Sequence, residues 1–173
     1  MQNILDRFNN EIKNLYTIYK FNVYGLYLIK QKWQESLITK PDLNQFVLRD
    51  DNFKYELSVS KQEFENDIQE DGQYFTKLSG VFLVSLYQLW EDKYRDEIAR
   101  HRKIKKNGVM NDLFGEIRKI RQAIVHNNFG YTSELNKLKI LDFVINGNKL
   151  NLNSATMSKI FLMLDAEVKS MKF

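Results

Sequence analysis

An all-α fold, an antiparallel bundle of four to five helices with a small C-terminal β-hairpin, follows from three features of the sequence. One proline and seven glycines in 173 residues leave few helix breakers. Apolar residues recur at steps of three and four over long stretches. Near the C-terminus that period gives way to two apolar runs around Asn146-Gly147-Asn148. Length and a 43% hydrophobic, 28% charged composition fit a single domain, residues 1–173, with a real core.

The first helix is predicted over residues 3–38. Ile4, Phe8, Ile12, Leu15, Tyr19, Val23, Leu26, Trp33 and Leu37 hold its stripe, and Lys40-Pro41 stops it, because the residue before proline is pushed out of the helical region. Tyr16, Phe21, Tyr24 and Tyr27 widen its apolar surface for packing on more than one side. Residues 41–60 read as irregular, with the alternation Phe53, Tyr55, Leu57, Val59 suggesting a short strand, and 61–71 as a short acidic helix. A second long helix is expected over about 73–103; Phe75, Leu78, Phe82, Leu86 and Leu89 form its stripe, which Trp90, Tyr94 and Ile98 continue with drift. The third spans about 112–127, with Asn111 or Asp112 as N-cap and Leu113, Phe114, Ile117, Ile120 and Ile124 as its apolar face. The runs 138–145 and 149–152 should pair as the hairpin, since Asn-Gly tolerates the positive φ of a tight turn. Ser154 is then expected to cap a last helix carrying Met157, Ile160, Phe161, Leu164, Val168 and Met171.

Composition excludes much chemistry. The absence of cysteine removes disulfide scaffolds, thiol nucleophiles and zinc knuckles, and two histidines, His101 and His126, leave little for a metal site. No apolar run is long enough for a membrane span, and the charged N-terminus lacks a signal-peptide core, so a cytoplasmic protein is expected. Phosphate-loop, zinc-protease and nucleophile-elbow motifs are missing. The net charge of +4 is unevenly spread: residues 50–71 carry −6 and residues 100–121 carry +6. The basic run 100–106 suits RNA phosphates, or equally a solvated helix end. Tyr16, Tyr19, Tyr24 and Tyr27 suit base stacking less well than helix packing.

One side chain breaks the pattern. At about 100° per residue Arg121 falls about 40° from Ile117, inside the stripe that Ile120 and Phe114 bound at about −60° and +60°. A guanidinium keeps its proton, so burial there requires a carboxylate, carbonyls or a bound anion. His126 follows five residues later, beside Asn127 and Asn128, and imidazole is suited to proton transfer near neutral pH. Arginine holding a phosphate and histidine moving a proton suffice for metal-independent RNA cleavage. Five residues correspond to about 140° of helix, so the pair converges only if the last turn unwinds or a second copy completes the site. The competing reading makes Arg121 a structural partner of Glu91 or Asp92 and His126 a helix cap. Arg95 and His101 have similar spacing, but His101 sits in a basic helix end.

The stretch Ile120-Arg121-Gln122-Ala123-Ile124-Val125-His126-Asn127-Asn128 resembles the Arg-x4–6-His signature of the HEPN superfamily, small α-helical domains of toxin–antitoxin, defence and RNA-processing systems. The preceding helix, 86–94, is similar to the family helix that carries a polar or acidic position near the site. The resemblance covers roughly residues 75–130. It implies a metal-independent endoribonuclease of the toxin or anti-phage kind, acting without cofactor as a homodimer on RNA, with a cognate antitoxin or regulatory protein as a further partner and no membrane. Carried over, Arg121 and His126 are the catalytic pair, Asn127 orients the histidine, and Glu91 and Asp92 support the site. Gln122 stands where the family usually has Asn, Asp or His. Lys103, Lys105, Lys106 and Arg118 would draw in the RNA backbone. The alternative implied is a non-catalytic HEPN-like module that binds nucleotide, RNA or protein.

Overall fold

The computed structural model describes residues 1–50 and 55–171. Its frame is the long helix α1 (Gln2–Thr39), which ends at Lys40 because Pro41 forces that residue to φ −138°, ψ 78°. α3 (Gln73–Gln88) runs antiparallel to it: Tyr19 hydrogen-bonds Ser79 at 3.0 Å, while Phe8, two helical turns and more toward the other end, stacks on Trp90 and Tyr94. α5 (Asp112–His126) runs antiparallel to α3 in turn, with Phe114 stacked on Trp90 at 4.3 Å and Ile124 against Gly80. α6 (Ser154–Ser170) returns along α1, where Tyr16 stacks on Phe161 at 3.9 Å and bonds Ser158. The chain is an all-α antiparallel bundle with a small hairpin near its C-terminus. No helix among the described residues is long and apolar enough to cross a membrane. Tyr16 and Tyr19 are packing residues; Tyr24 is exposed, and Tyr27 donates to Glu70.

The second predicted helix is continuous to Arg102, but not uniform. α3 passes through a π-helical segment, Leu89–Tyr94, into α4 (Arg95–Arg102). A π turn takes an extra residue, so Leu86, Trp90, Tyr94 and Ile98, each four apart, all stay buried. That is the physical origin of the drifting stripe. The wider turn also carries Glu91 and Asp92.

Residues 41–60 are more regular than expected. β1 (Gln45–Asp50) pairs antiparallel with β2 (Tyr55–Ser60), and Leu48 faces Leu57 across the ladder; Phe53, of the predicted alternation, lies outside the described residues. β1 is held by Phe46, stacked on Phe64 at 4.1 Å and edge-on to Trp33. Phe64 belongs to α2 (Lys61–Asp67), capped by the Ser60 hydroxyl, which accepts from the Glu63 N–H. This second apolar cluster (Trp33, Phe64, Ile68) covers the distal end of α1.

The C-terminal hairpin is shorter than predicted: β3 (Ile145–Asn146) pairs with β4 (Lys149–Leu150) around Gly147 at φ +60°. Residues 138–144 do not join the ladder, because Glu116 takes their backbone. Its carboxylate, in a residue only 7% exposed, accepts from the N–H groups of Lys139 (2.7 Å), Ile140 (3.0 Å) and Leu141 (2.8 Å). The cap of α6 is also shifted by one: Asn153, not Ser154, accepts from the Thr156 N–H at 2.9 Å.

α5 ends in a strained turn. Asn128 and Phe129 have φ of 45° and 65°, and the Phe129 N–H closes back on Ala123 O at 3.1 Å. The turn presses the Phe129 ring onto bare Gly80, where an added Cβ would lie 2.5 Å from ring carbons. Gly80→Ala is therefore expected to destabilise the fold by about 1 kcal/mol, overpacking of about 1–3 kcal/mol outweighing the helix-propensity gain of up to about 1. An unchanged or raised urea midpoint would contradict this contact.

Candidate functional site

Arg121 reaches the surface where α3, the π segment and α5 meet. There a cavity of about 390 Å³ is lined by Tyr87, Gln88, Glu91, Asp92, Arg95 and Asn107 from one side. Arg118, Arg121 and Gln122 line it from α5. These α5 residues project there because the neighbouring positions Ile117, Ile120 and Ala123 are fully buried and fix the helix rotation.

The charges in this cavity are not equivalent. Glu91 is fully engaged: Arg95 Nη1 donates to it at 2.8 Å, Lys106 Nζ lies at 3.2 Å and the Tyr87 hydroxyl donates at 3.3 Å. Burial acts to raise the Glu91 pKa, but the hydrogen bonds from Arg95 and Lys106 outweigh it and leave the carboxyl below its ordinary value. Such a group adds stability above its unfolded-state pKa and gives it up as pH falls through the folded one, so the clamp is intact at neutral pH. Arg95 is itself fixed to Val109 O at 2.9 Å.

Arg121 has no such partner. Its Nε is buried without an acceptor, and no ion pair joins it to Glu91, Asp92 or any other described residue. The structural partnership that sequence reasoning set against a functional role is therefore not formed. Its guanidinium sits 5.7 Å from the Tyr87 ring centroid. A cation–π contact of about 0.5–2 kcal/mol serves the guanidinium face, while an unmet N–H donor costs about 1–3 kcal/mol at the edge. With Glu91 neutralised internally, Arg118 and Arg121 outnumber Asp92, and the cavity offers a net positive charge to an anion.

His126 is not a lining residue of this cavity. It is exposed at the end of α5, which stays helical through that residue. Unwinding of the last turn, one of the two routes by which Arg121 and His126 would converge, is absent. Nor does Asn127 hold the imidazole; its side-chain amide donates to Tyr131 O at 3.0 Å and braces the turn. Gln122, Glu91, Asp92 and Arg118 do gather around Arg121. Lys106 is tied to Glu91, whereas Lys103, in a left-handed conformation at the end of α4, and Lys105 are exposed on the adjoining loop. The rival pair is separated by other duties: Arg95 binds Glu91, and His101 Nε2 meets the N-terminal amine at 3.1 Å.

Sequence reasoning missed Arg95, Asn107 and Tyr87 as parts of this cavity. For Tyr87 and Arg95, which flank the π segment, the signal was the drift of the second helix, since π turns recur at functional sites; Asn107, in the turn after α4, carries no such signal. Comparison of the chain with protein-family models, curated proteins and solved structures finds no match.

Proposed function

We propose that the protein is a metal-independent endoribonuclease of HEPN type, working as a homodimer. The observation that carries this reading is the Arg121 guanidinium, without a protein acceptor, in a cavity it shares with Arg118. The resemblance of 120–128 to the Arg-x4–6-His signature supplies the chemistry. In that chemistry the ribose 2′-oxygen bonds to phosphorus as the bond to the 5′-oxygen breaks. His126 takes the 2′-hydroxyl proton or supplies one to the departing oxygen, and Arg121 stabilises charge on the pentavalent phosphorane. Because α5 is regular through His126, the histidine serving Arg121 belongs to a second copy. Val125, exposed one residue before His126, offers apolar surface for that association. Lys103, Lys105 and Arg118 attract the RNA backbone. A toxin or anti-phage role, with a cognate antitoxin or other restraining protein, is part of the same proposal.

The exposure of His126 outside the cavity favours a second reading, a HEPN-like module that binds RNA or a nucleotide without cutting it. His126→Ala separates the two. The nuclease reading expects cleavage to be lost with thermal stability and RNA affinity retained, and wild-type cleavage to persist in EDTA. Cleavage that survives His126→Ala, or that requires added metal, refutes it; absence of cleavage in wild type with RNA retained favours the binding module.

A further inference from the structure

A second cavity, of about 140 Å³, opens beside the first and shares Tyr87, Arg95 and Arg118 with it. Its character differs. The floor is the buried pair Trp90 and Phe114 with Val109, the exposed Met110 stands at the rim, and Gly115 leaves one wall without a side chain. Two of the polar groups around it are already committed: Asn111 caps α5 and donates to Glu167 at 2.6 Å, and the Arg95 Nε–H is used by Val109 O. An anion-binding hollow and one with an aromatic floor, joined through the guanidinium of Arg118, match the two halves of a nucleotide.

We infer that this second cavity is a nucleobase subsite, seating one unstacked base of a single-stranded RNA whose neighbouring phosphate lies against Arg118 and Arg121. The inference rests on the RNA reading above and extends it to the strand form recognised. A base there contacts Met110 and the aromatic floor, and its open face meets the Arg118 guanidinium, the arrangement by which single strands are held without reading sequence. With the Tyr87 hydroxyl, the Asn111 side chain and the Arg95 Nε–H engaged within the protein, recognition rests chiefly on shape and stacking, and a paired, stacked base is excluded. Gly115 is the aperture. A Cβ built on it meets nothing within 4 Å, so a larger residue enters the hollow rather than the protein.

That makes Gly115→Leu the test. The variant is expected to fold as well as wild type or better, since glycine inside α5 gives way to a good helix former. Binding is measured with three probes: a short 2′-O-methyl single strand, the same strand with abasic positions, and a duplex of the same sequence. Wild type is expected to bind the base-bearing strand about tenfold or more tightly than either other probe, in line with stacking of about 1–3 kcal/mol per base. Gly115→Leu should lose that advantage while binding the abasic strand as before. Arg121→Ala should weaken all three. If Gly115→Leu keeps the full preference for bases, or wild type prefers the duplex, the base subsite is wrong while the phosphate role of Arg121 stands. If wild type binds none of the probes, both fail together.

Discussion

Arg121→Ala is expected to reduce RNA cleavage by about 10²–10³-fold, the loss that follows removal of one pre-positioned donor to a developing oxyanion. The accompanying stability measurement is equally informative. A structural arginine would leave its carboxylate stranded when removed, at a cost of about 3–5 kcal/mol. Here no carboxylate depends on it, because Glu91 is held by Arg95 and Lys106. The variant should therefore melt at or above the wild-type temperature, since a buried donor without acceptor is removed. Arg121→Lys should not restore cleavage: it keeps the charge but loses the planar fork that grips two phosphate oxygens. A lowered melting temperature with activity intact would invert the assignment and make Arg121 structural.

The largest loss of stability is expected at Glu116. Its carboxylate accepts from three successive backbone N–H groups and is shielded from solvent. Hydrogen bonds to a charged group contribute about 1.5–3 kcal/mol each, and buried backbone donors left unmet carry a further penalty. Glu116→Ala should then cost about 3 kcal/mol or more, a fall of about 6–12 °C in melting temperature for a domain of this size. Hydrogen exchange would speed at Lys139–Leu141 before it speeds in the helices. Glu116→Gln, with one oxygen to offer, should fall between the two. A near-neutral Glu116→Ala would mean that another group holds the 139–141 loop.

Those two residues mark what was legible in the sequence and what was not. Arg121 was visible because helical periodicity is local: a cation among Ile117, Ile120 and Ile124 contradicts its own helix, and in the structure it lines a cavity. Glu116 was not visible, because its partners are backbone N–H groups 23–25 residues away, which carry no side-chain signature. The same distance hid the shortened hairpin, since the residues that looked like strand are captured by that carboxylate. β1 was missed for a related reason. Its stabilising contacts, Phe46 on Phe64 and Trp33, join segments separated in sequence, while Gln45–Asp50 alone lacks clean alternation. The helices, α5's cap at Asn111 and the stop at Pro41 all follow from neighbours within a turn or two, and these the sequence states directly. Convergence of Arg121 with His126 was the part that depended on more than one helix. A regular α5 sends the two side chains about 140° apart, which moves the question from one chain to two.

Mixing inactive variants addresses that question most directly. Arg121→Ala and His126→Ala, each without cleavage alone, would be combined under conditions that exchange subunits. If each site draws arginine from one copy and histidine from the other, every mixed dimer regains one intact site, and cleavage should return to about a quarter of the wild-type level. Mixtures that stay as inactive as their components, with subunit exchange verified, would contradict a site shared between two copies.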